Sequence, residues 1–442
     1  MPDVREIVIE LLGQLGSSRE ARQYLNQFSR VEESRFAVVK VGGAVLRDSL
    51  ESLATSLAFL HRLGLHPIVL HGAGPQLDEA LAREGVETLK EGGLRVTTEE
   101  VMALARPVIY RENLKLVEAL EEHGVKARSL IHGVFQSSLT DRSRLGLVGE
   151  VERVDLAGVE STVAAGAMPV VACLGESPSG QVMNINADVA ARELVRSLRP
   201  YKVIFLTSTG GLLDANGRII SAITLAEDYD RLMGEDWVHS GMRLKLQQIR
   251  ELLEELPPDS SVSITSAENL TRELFTHTGA GTLIRRGERI QHMDQFPSEL
   301  EPKLATLFQE SFGRRLRPDW LEVREVKGLL LAESGRAAAL VLEGIRGVAY
   351  LDKFVVTPEA QGEGLAGALW QALVARYPQL YWRARVANPV NSWYFRRADS
   401  TLKRDGWVAF TRGIREPDLE REAAEDALVR DSGWIPGEEE GE

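Results

Sequence analysis

From Phe36 to about Ile284, short apolar runs alternate with stretches of helical periodicity, and this alternation constrains the fold more than any other property of the 442 residues. FAVVKV, PIVL, VKARSLI, MPVVACL, KVIFLT and SVSIT read as strands. Apolar residues recur at helical spacing near Ser49–Leu63, Glu99–Glu122, Ala187–Leu198 and Met242–Leu256. Strands that are apolar on both faces need cover on both, and an intervening helix lets successive strands run in the same direction. The expected class is α/β, with a largely parallel sheet between helices. Gly133 to Val154 breaks the rhythm with turn residues and short polar alternation, and is expected to form hairpins.

The first strand carries chemistry at its end. In FAVVKVGG, Lys40 stands just before Gly42 and Gly43, whose main-chain N–H groups can approach an anion that a side chain would block. PIVLHGAG repeats the plan: an apolar strand, then Gly72, Ala73 and Gly74, then a helix from Pro75 whose N-terminus favours anionic oxygens. Two anion cradles suggest a polyphosphate. The spacing is not that of a GxxxxGK[ST] loop, and GAG lacks the third glycine of a dinucleotide fingerprint, so a nucleotide site of another design is implied.

A formal net charge of −13 argues against nucleic acid as a bulk electrostatic partner, while leaving room for a locally basic cleft. Cys173, the only cysteine, lies in the apolar run MPVVACLG, which excludes a disulfide framework or a thiolate metal cluster and suits a reducing cytoplasm. Its expected role is inert packing. The N-terminal MPDVREIVIELL carries acids where a secretory signal would be basic, and no uncharged apolar run is long enough to span a bilayer. A soluble, cytoplasmic protein without membrane contact is expected.

This length favours two domains. Residues 1–30 have apolar positions at helical spacing and read as an amphipathic arm that either folds back or joins a second subunit, the subunit contact being favoured. Residues 31–286 form the first domain, and polar 287–302 is expected to link it to an α+β domain over 303–416. The last part, 417–442, reads as a helix followed by an acidic tail.

Further features converge on the first domain: Arg95 in GGLRVT, Asn184 and Asp188 in NINAD, Lys245 in SGMRLK, and Thr207, Gly210 and Gly211 in the turn after KVIFL. Taken singly, the Asn and Asp before a helix are ordinary caps and the basic residues at helix starts are ordinarily solvated. Together with KVGG and HGAG, in this order and spacing, they resemble the amino-acid kinase family and, within it, N-acetylglutamate kinase. The resemblance implies a three-layer sandwich that binds ATP with Mg²⁺ through Gly42, Gly43, Gly72, Ala73, Gly74, Thr207, Gly210 and Gly211. It also implies that Lys40 and Lys245 neutralise the transferring and leaving phosphates, and that Asp188 holds both lysines. Arg95 takes the α-carboxylate of N-acetyl-L-glutamate and Asn184 its acetamido group, beside Gly72 and Ala73. A carboxylate nucleophile needs no base, so positive charge is what the site must supply. Ala73, where the family's loop has a third glycine, places a methyl near the cradle.

The second domain has its own anion cradle. FVVTPEAQGEGLAGALW runs from a strand through Gln361, Gly362, Glu363 and Gly364 into a helix start at Leu365 and Ala366. This resembles the signature of GNAT-type acetyltransferases, which implies acetyl-CoA binding there and along Val355 and Val356. YLDKF, SFGRRL and WRARVANPVNSWYF extend the resemblance to the acetyltransferase domain of N-acetylglutamate synthases. It implies Tyr394 as the acid that protonates the departing thiolate and Lys353 as a proton relay or glutamate ligand. Arg383, Arg385, Asn388 and Arg314 are the implied partners of L-glutamate.

As a whole the chain resembles the bifunctional synthase/kinases of arginine biosynthesis. Three alternatives stay open: a synthase that has lost its kinase, a kinase with a regulatory acetyltransferase-like domain, and an arginine-responsive scaffold. The resemblance further implies L-arginine binding around Gly279–Thr282 with help from the N-terminal arm, and a homo-oligomer, a tetramer.

Overall fold

The computed structural model describes residues 36–258, 260–275, 280–360 and 364–435, in two compact units that divide after Arg286. The expected N-terminal arm, Gln361–Glu363, Gly279 and the last seven residues of the acidic tail lie outside the described residues.

In the first unit, β1 (Ala37–Val41) and β2 (Ile68–His71) occupy the middle of an eight-stranded sheet. Two short strands, β3 (Lys90–Glu91) and β4 (Leu94–Arg95), form a separate hairpin. The large sheet is completed by β5 (Ala127–Leu130), β8 (Met168–Ala172), β11 (Lys202–Leu206), β12 (Ala222–Thr224), β13 (Ser261–Thr265) and β14 (Thr282–Arg285), in the order β12-β14-β13-β11-β1-β2-β8-β5. All neighbours are parallel except β13 and β14. The central strands are buried on both faces, as their Val, Ile and Leu runs require.

Six helices matter for the site: α1 (Gly43–Asp48), α2 (Leu50–Arg62), α3 (Gly74–Glu84), α4 (Glu99–Glu122), α5 (Ala187–Leu198) and α6 (Ser240–Glu255). Leu53, Leu57, Leu116 and Leu120 of α2 and α4 cover one face of the sheet, and Leu194, Val195, Leu246 and Ile249 of α5 and α6 the other. Helix starts follow local chemistry. Thr98 accepts from Val101 N at 3.2 Å, and Asn186 accepts from Asp188 N and Val189 N at 2.8 and 3.3 Å. The expected hairpin region forms β6 (Phe135–Leu139) paired antiparallel with β7 (Gly149–Val154), in a four-stranded sheet with β9 (Leu174–Glu176) and β10 (Val182–Asn184).

The second unit is a seven-stranded sheet in the order β15-β16-β17-β18-β19-β21-β20. Its strands are β15 (Ile290–Met293), β16 (Val326–Ala332), β17 (Ala337–Glu343), β18 (Ala349–Val356), β19 (Leu380–Arg385), β20 (Ser400–Arg404) and β21 (Trp407–Arg412). Helices α7 (Glu301–Phe312), α8 (Leu365–Arg376) and α9 (Pro417–Val429) cover it. Two expected boundaries are corrected. Residues 287–302 are not a free linker, because Ile290–Met293 pairs antiparallel with β16, its few apolar residues sufficing for an edge strand. Nor does the domain stop at 416. Ala423, Ala424 and Ala427 of α9 enter the same core as Leu340 and Tyr381, since a row of alanines lets the helix sit close to the sheet.

Candidate active sites

Register brings the two glycine turns of the first unit together. Lys40 lies opposite Leu70 on one side and Phe205 on the other, so β1 and β2 end side by side. Gly42 N-caps α1 and Ala73 N-caps α3. A Cβ on Gly43 would come within 2.8 Å of Pro75 Cδ and of Gln76 Oε1, so only glycine fits this approach. Gln76 Nε2 ties the turns by donating to Gly43 O at 2.9 Å, and Gly72 N donates to Val41 O at 3.0 Å.

At this edge Lys40 Nζ stands 2.7 Å from Asp188 Oδ1, in the first turn of α5. Lys245 comes from α6, its Nζ 6.0 Å from the centroid of the Phe205 ring. Burial and the nearby Lys40 ammonium push the Lys245 pKa down, while Asp188 opposes the shift. Both expected lysines and the expected aspartate therefore sense one another.

A cavity of about 230 Å³ opens beside them, lined by Gly72, Ala73, Gly74, Arg95, Asn184 and Asp188 among others. Arg95 is 8 % exposed, its Nη2 donating to Asp78 and its Nη1 buried without a partner among the described residues. Asn184 Nδ2 donates to Thr97 Oγ1 at 3.1 Å, and Thr97 Oγ1 donates to the Arg95 carbonyl at 2.9 Å, so the two expected acceptor ligands are braced by one threonine. The capping work of NINAD falls to Asn186, which leaves Asn184 for the cavity. Thr207, Gly210 and Gly211 do not line this cavity. They form a turn at the end of β11, where Gly210 N donates to Thr207 Oγ1 at 3.2 Å.

His71, itself part of the cavity lining, and Asn113 and Ser129 behind it were given no role by the sequence reading. His71 is fully buried and bonded to Asn113, which is bonded in turn to Ser129, and Cys173 Sγ donates to the His71 carbonyl at 2.9 Å. Burial pushes the Cys173 thiol up to about 12, in keeping with its expected inertness. His71 was within a quoted motif, but its partners come from segments 42 and 58 positions away.

In the second unit β18 and β19 pair in parallel only from Ala349 to Leu351 with Leu380 to Trp382. Beyond that they part, and the β19 side of Val355 and Val356 has no strand partner among the described residues. Gly364, at φ 88°, caps α8, whose first residues are Leu365 and Ala366. Tyr394 sits among aromatic rings, 5.6 Å from Trp382 and 5.5 Å from Phe410 between centroids, and burial raises its pKa so that the hydroxyl stays protonated.

The cations named for glutamate are partly engaged by the chain's own C-terminal segment. Lys353 Nζ, 2 % exposed, donates to Asp352 Oδ2 at 2.6 Å and to Ser432 O at 2.8 Å, and burial lowers its pKa. Arg383 donates to the carbonyls of Leu428 and Arg430 and stacks 4.2 Å from the Trp407 centroid. Arg314 lies 5.7 Å from the Trp434 centroid. Arg385 also stacks at 4.2 Å on Trp407 but is exposed, and Asn388 Oδ1 accepts from Val390 N at 2.9 Å, shaping the following turn. The buried Arg324–Asp352 pair, 2.6 Å apart, was not foreseen.

The sequence profile described as Amino acid kinase family matches residues 35–264, and that described as NAT, N-acetyltransferase, of N-acetylglutamate synthase matches residues 288–427. Acetylglutamate kinase of Xanthomonas campestris is 49 % identical over 404 residues, covering 90 % of this chain and 95 % of its own. Human mitochondrial N-acetylglutamate synthase is 30 % identical over 423 residues, covering 93 % of this chain and 76 % of its own. In fold, the chain matches a solved N-acetylglutamate synthase from Neisseria gonorrhoeae, complexed with coenzyme A and N-acetyl-glutamate. That match has TM-score 0.67 at 21 % identity and covers 90 % of this chain and 98 % of that one. The chain belongs to the amino acid kinase family, fused to an acetyltransferase domain of the N-acetylglutamate synthase type.

Proposed function

We propose that the chain is a bifunctional enzyme of arginine biosynthesis: the second unit acetylates L-glutamate with acetyl-CoA and the first phosphorylates the product on its γ-carboxylate with ATP. The observation that carries the kinase half is the meeting of Lys40, Lys245 and Asp188 beside a cavity lined by Arg95 and Asn184. The relatives named for each activity support both halves.

In phosphoryl transfer a carboxylate oxygen of the acceptor attacks the γ-phosphorus while the bond to the β–γ bridging oxygen breaks, and ADP leaves. Lys40 and Lys245 supply the positive charge this needs, and the amides of the two glycine turns add fixed dipoles. Arg95, whose Nη1 has no partner among the described residues, would take the α-carboxylate and Asn184 the acetamido group, and the cavity that both line supports this reading. Mg²⁺ would be held chiefly through phosphate oxygens and water, neutralising charge when bound.

In acetyl transfer the neutral glutamate amine attacks the thioester carbonyl, its nitrogen gives up a proton to water as the amide forms, the C–S bond breaks, and Tyr394 gives its proton to the departing thiolate and regains one from solvent. Its apolar surroundings keep that proton on until the thiolate forms. The open edge at Val355 and Val356 offers main-chain groups to the pantetheine arm, and the N-terminus of α8 its amides to the pyrophosphate. Exposed Arg385 and half-buried Asn388, Arg383 and Arg314 would bind the glutamate carboxylates and amine, with buried Lys353 behind them.

Arginine would act as effector beside residues 280–282, where buried Glu273 has no partner for Oε1 among the described residues while Oε2 accepts from Ala280 N at 2.8 Å. A cytoplasmic tetramer completes the reading. Among the described residues no helix is long and apolar enough to cross a membrane. Separate assays decide the matter: CoA release from acetyl-CoA plus glutamate, and ADP release from ATP plus N-acetylglutamate. Lys40→Ala should abolish only the second. Absence of both reactions in the unmodified protein would leave the arginine-responsive scaffold as the better reading.

A further inference from the structure

His71 is buried at the end of β2, immediately before the Gly72–Gly74 turn, and its ring chemistry can be read from its neighbours. Asn113 Nδ2 lies 3.1 Å from the Val170 carbonyl, which can only accept, so this atom is the amide nitrogen. In that orientation Ser129 Oγ donates to Asn113 Oδ1 at 2.6 Å. That nitrogen also lies 3.0 Å from His71 Nε2. Since it donates, Nε2 must accept, and the imidazole proton is left on Nδ1. Burial holds the His71 pKa down to about 4, so the ring is neutral at ordinary pH. Nδ1 has no hydrogen-bond partner among the described residues, and the adjoining Gly72 main chain partly offsets the effect of burial by favouring the ring's proton.

The turn is tied everywhere else. Gly72 N donates to Val41 O at 3.0 Å, Cys173 Sγ holds the His71 carbonyl at 2.9 Å, and a Cβ on Gly72 would sit 3.1 Å from Ala187 Cβ. A buried N–H beside a turn that lines the cavity is costly unless it finds an acceptor. Hydrogen bonds of an active site tighten as its ligands bind.

We propose that His71 is a positioning residue for the phosphoryl-transfer site: the Ser129–Asn113 relay fixes its proton on Nδ1, and that proton bonds the Gly72 carbonyl, aiming the amides of the turn at the bound anion. This rests on the kinase reading for its kinetic arm alone. An Asn side chain places its amide nitrogen near the Nδ1 position, whereas Gln reaches the Nε2 position, so the two substitutions separate the donor from the packing.

The test has two arms on the full chain. Long-range ¹H–¹⁵N correlation on protein labelled at histidine, assigned by loss of the signal in His71→Asn, should show Nδ1 protonated and Nε2 bare. The Nδ1 proton should move downfield when ATP analogue and N-acetylglutamate are added. In kinetics, His71→Asn should stay within about threefold of the unmodified kcat for ADP release. His71→Gln should lose roughly tenfold to a hundredfold, with CoA release unchanged in both. A ring protonated on Nε2, or a Gln variant as active as the Asn variant, overturns the proposal. Because the spectrum needs no turnover, a missing kinase activity would sink the kinase reading and leave the tautomer assignment to be judged alone.

Discussion

Lys40 Nζ and Asp188 Oδ1 approach to 2.7 Å across the ends of β1 and α5, although 148 positions separate them in the chain. The carboxylate is two-thirds exposed and is thus well placed to trade one ammonium for another as charge moves through the site.

Asp188→Asn should lower the kinase kcat by about 10²–10³, the usual cost of losing one charged element of such a site. Thermal stability should change little, because the Asp188 carboxylate is 64 % exposed and water already screens its ion pair. Coupled ADP release and a melting curve check both, and an active Asn variant would remove Asp188 from the mechanism.

Lys245 has a pKa below the ordinary 10.5, from burial and the neighbouring Lys40. It must be protonated to neutralise phosphate, so kcat/KM for the kinase should fall with rising pH before 10.5 is reached. Lys245→Arg should move that alkaline limb upward, if at reduced rate. A pH–rate profile with an unmoved limb would assign it to another group.

Tyr394→Phe removes only a hydroxyl from an aromatic cluster and should leave the fold intact. CoA release should drop about 10²-fold, the scale of one positioned proton donor, and ADP release should not change.

Trp434 anchors the C-terminal segment, its ring 4.9 Å from Lys353 Nζ and 5.3 Å from the Phe312 ring. Trp434→Ala should destabilise the second unit by about 3 kcal/mol in urea unfolding. Freed from Ser432, Lys353 should hold its place less well, raising the glutamate KM several-fold while the kinase assay stays level.

Lys202 is buried against Ser261 Oγ at 2.8 Å, and burial lowers its pKa from 10.5 to about 7. Below pH 7 both folded and unfolded states carry the proton; between 7 and 10.5 only the unfolded state does. The first unit should therefore gain stability as pH rises through that window. Lys202→Met should flatten the dependence of melting temperature on pH.

The first unit was legible because its strands are apolar on both faces and its helices show clear apolar spacing, by which those at Glu99–Glu122 and Ala187–Leu198 were bounded, Thr98 and Asn186 capping them. Lys40, Arg95, Asn184 and Asp188 were legible from their motifs, and all four stand at the cavity or its rim. What escaped was second-layer chemistry: Asn113 lies mid-helix and Ser129 mid-strand, where neither type marks a local signal. The edge strand at Ile290–Met293 escaped because its polar residues read as linker until β16 supplies a partner. The role of Ser432 is a main-chain carbonyl, which no side-chain pattern announces.

The helix Pro417–Val429 and the segment through Trp434 complete the second unit's core, yet they are made after all of its strands. During synthesis the first unit can close while the second still exposes the sheet face meant for Ala423 and Ala427. Acetyltransferase competence must then lag behind kinase competence on the ribosome, and nascent chains halted before Pro417 should be the ones that chaperones hold.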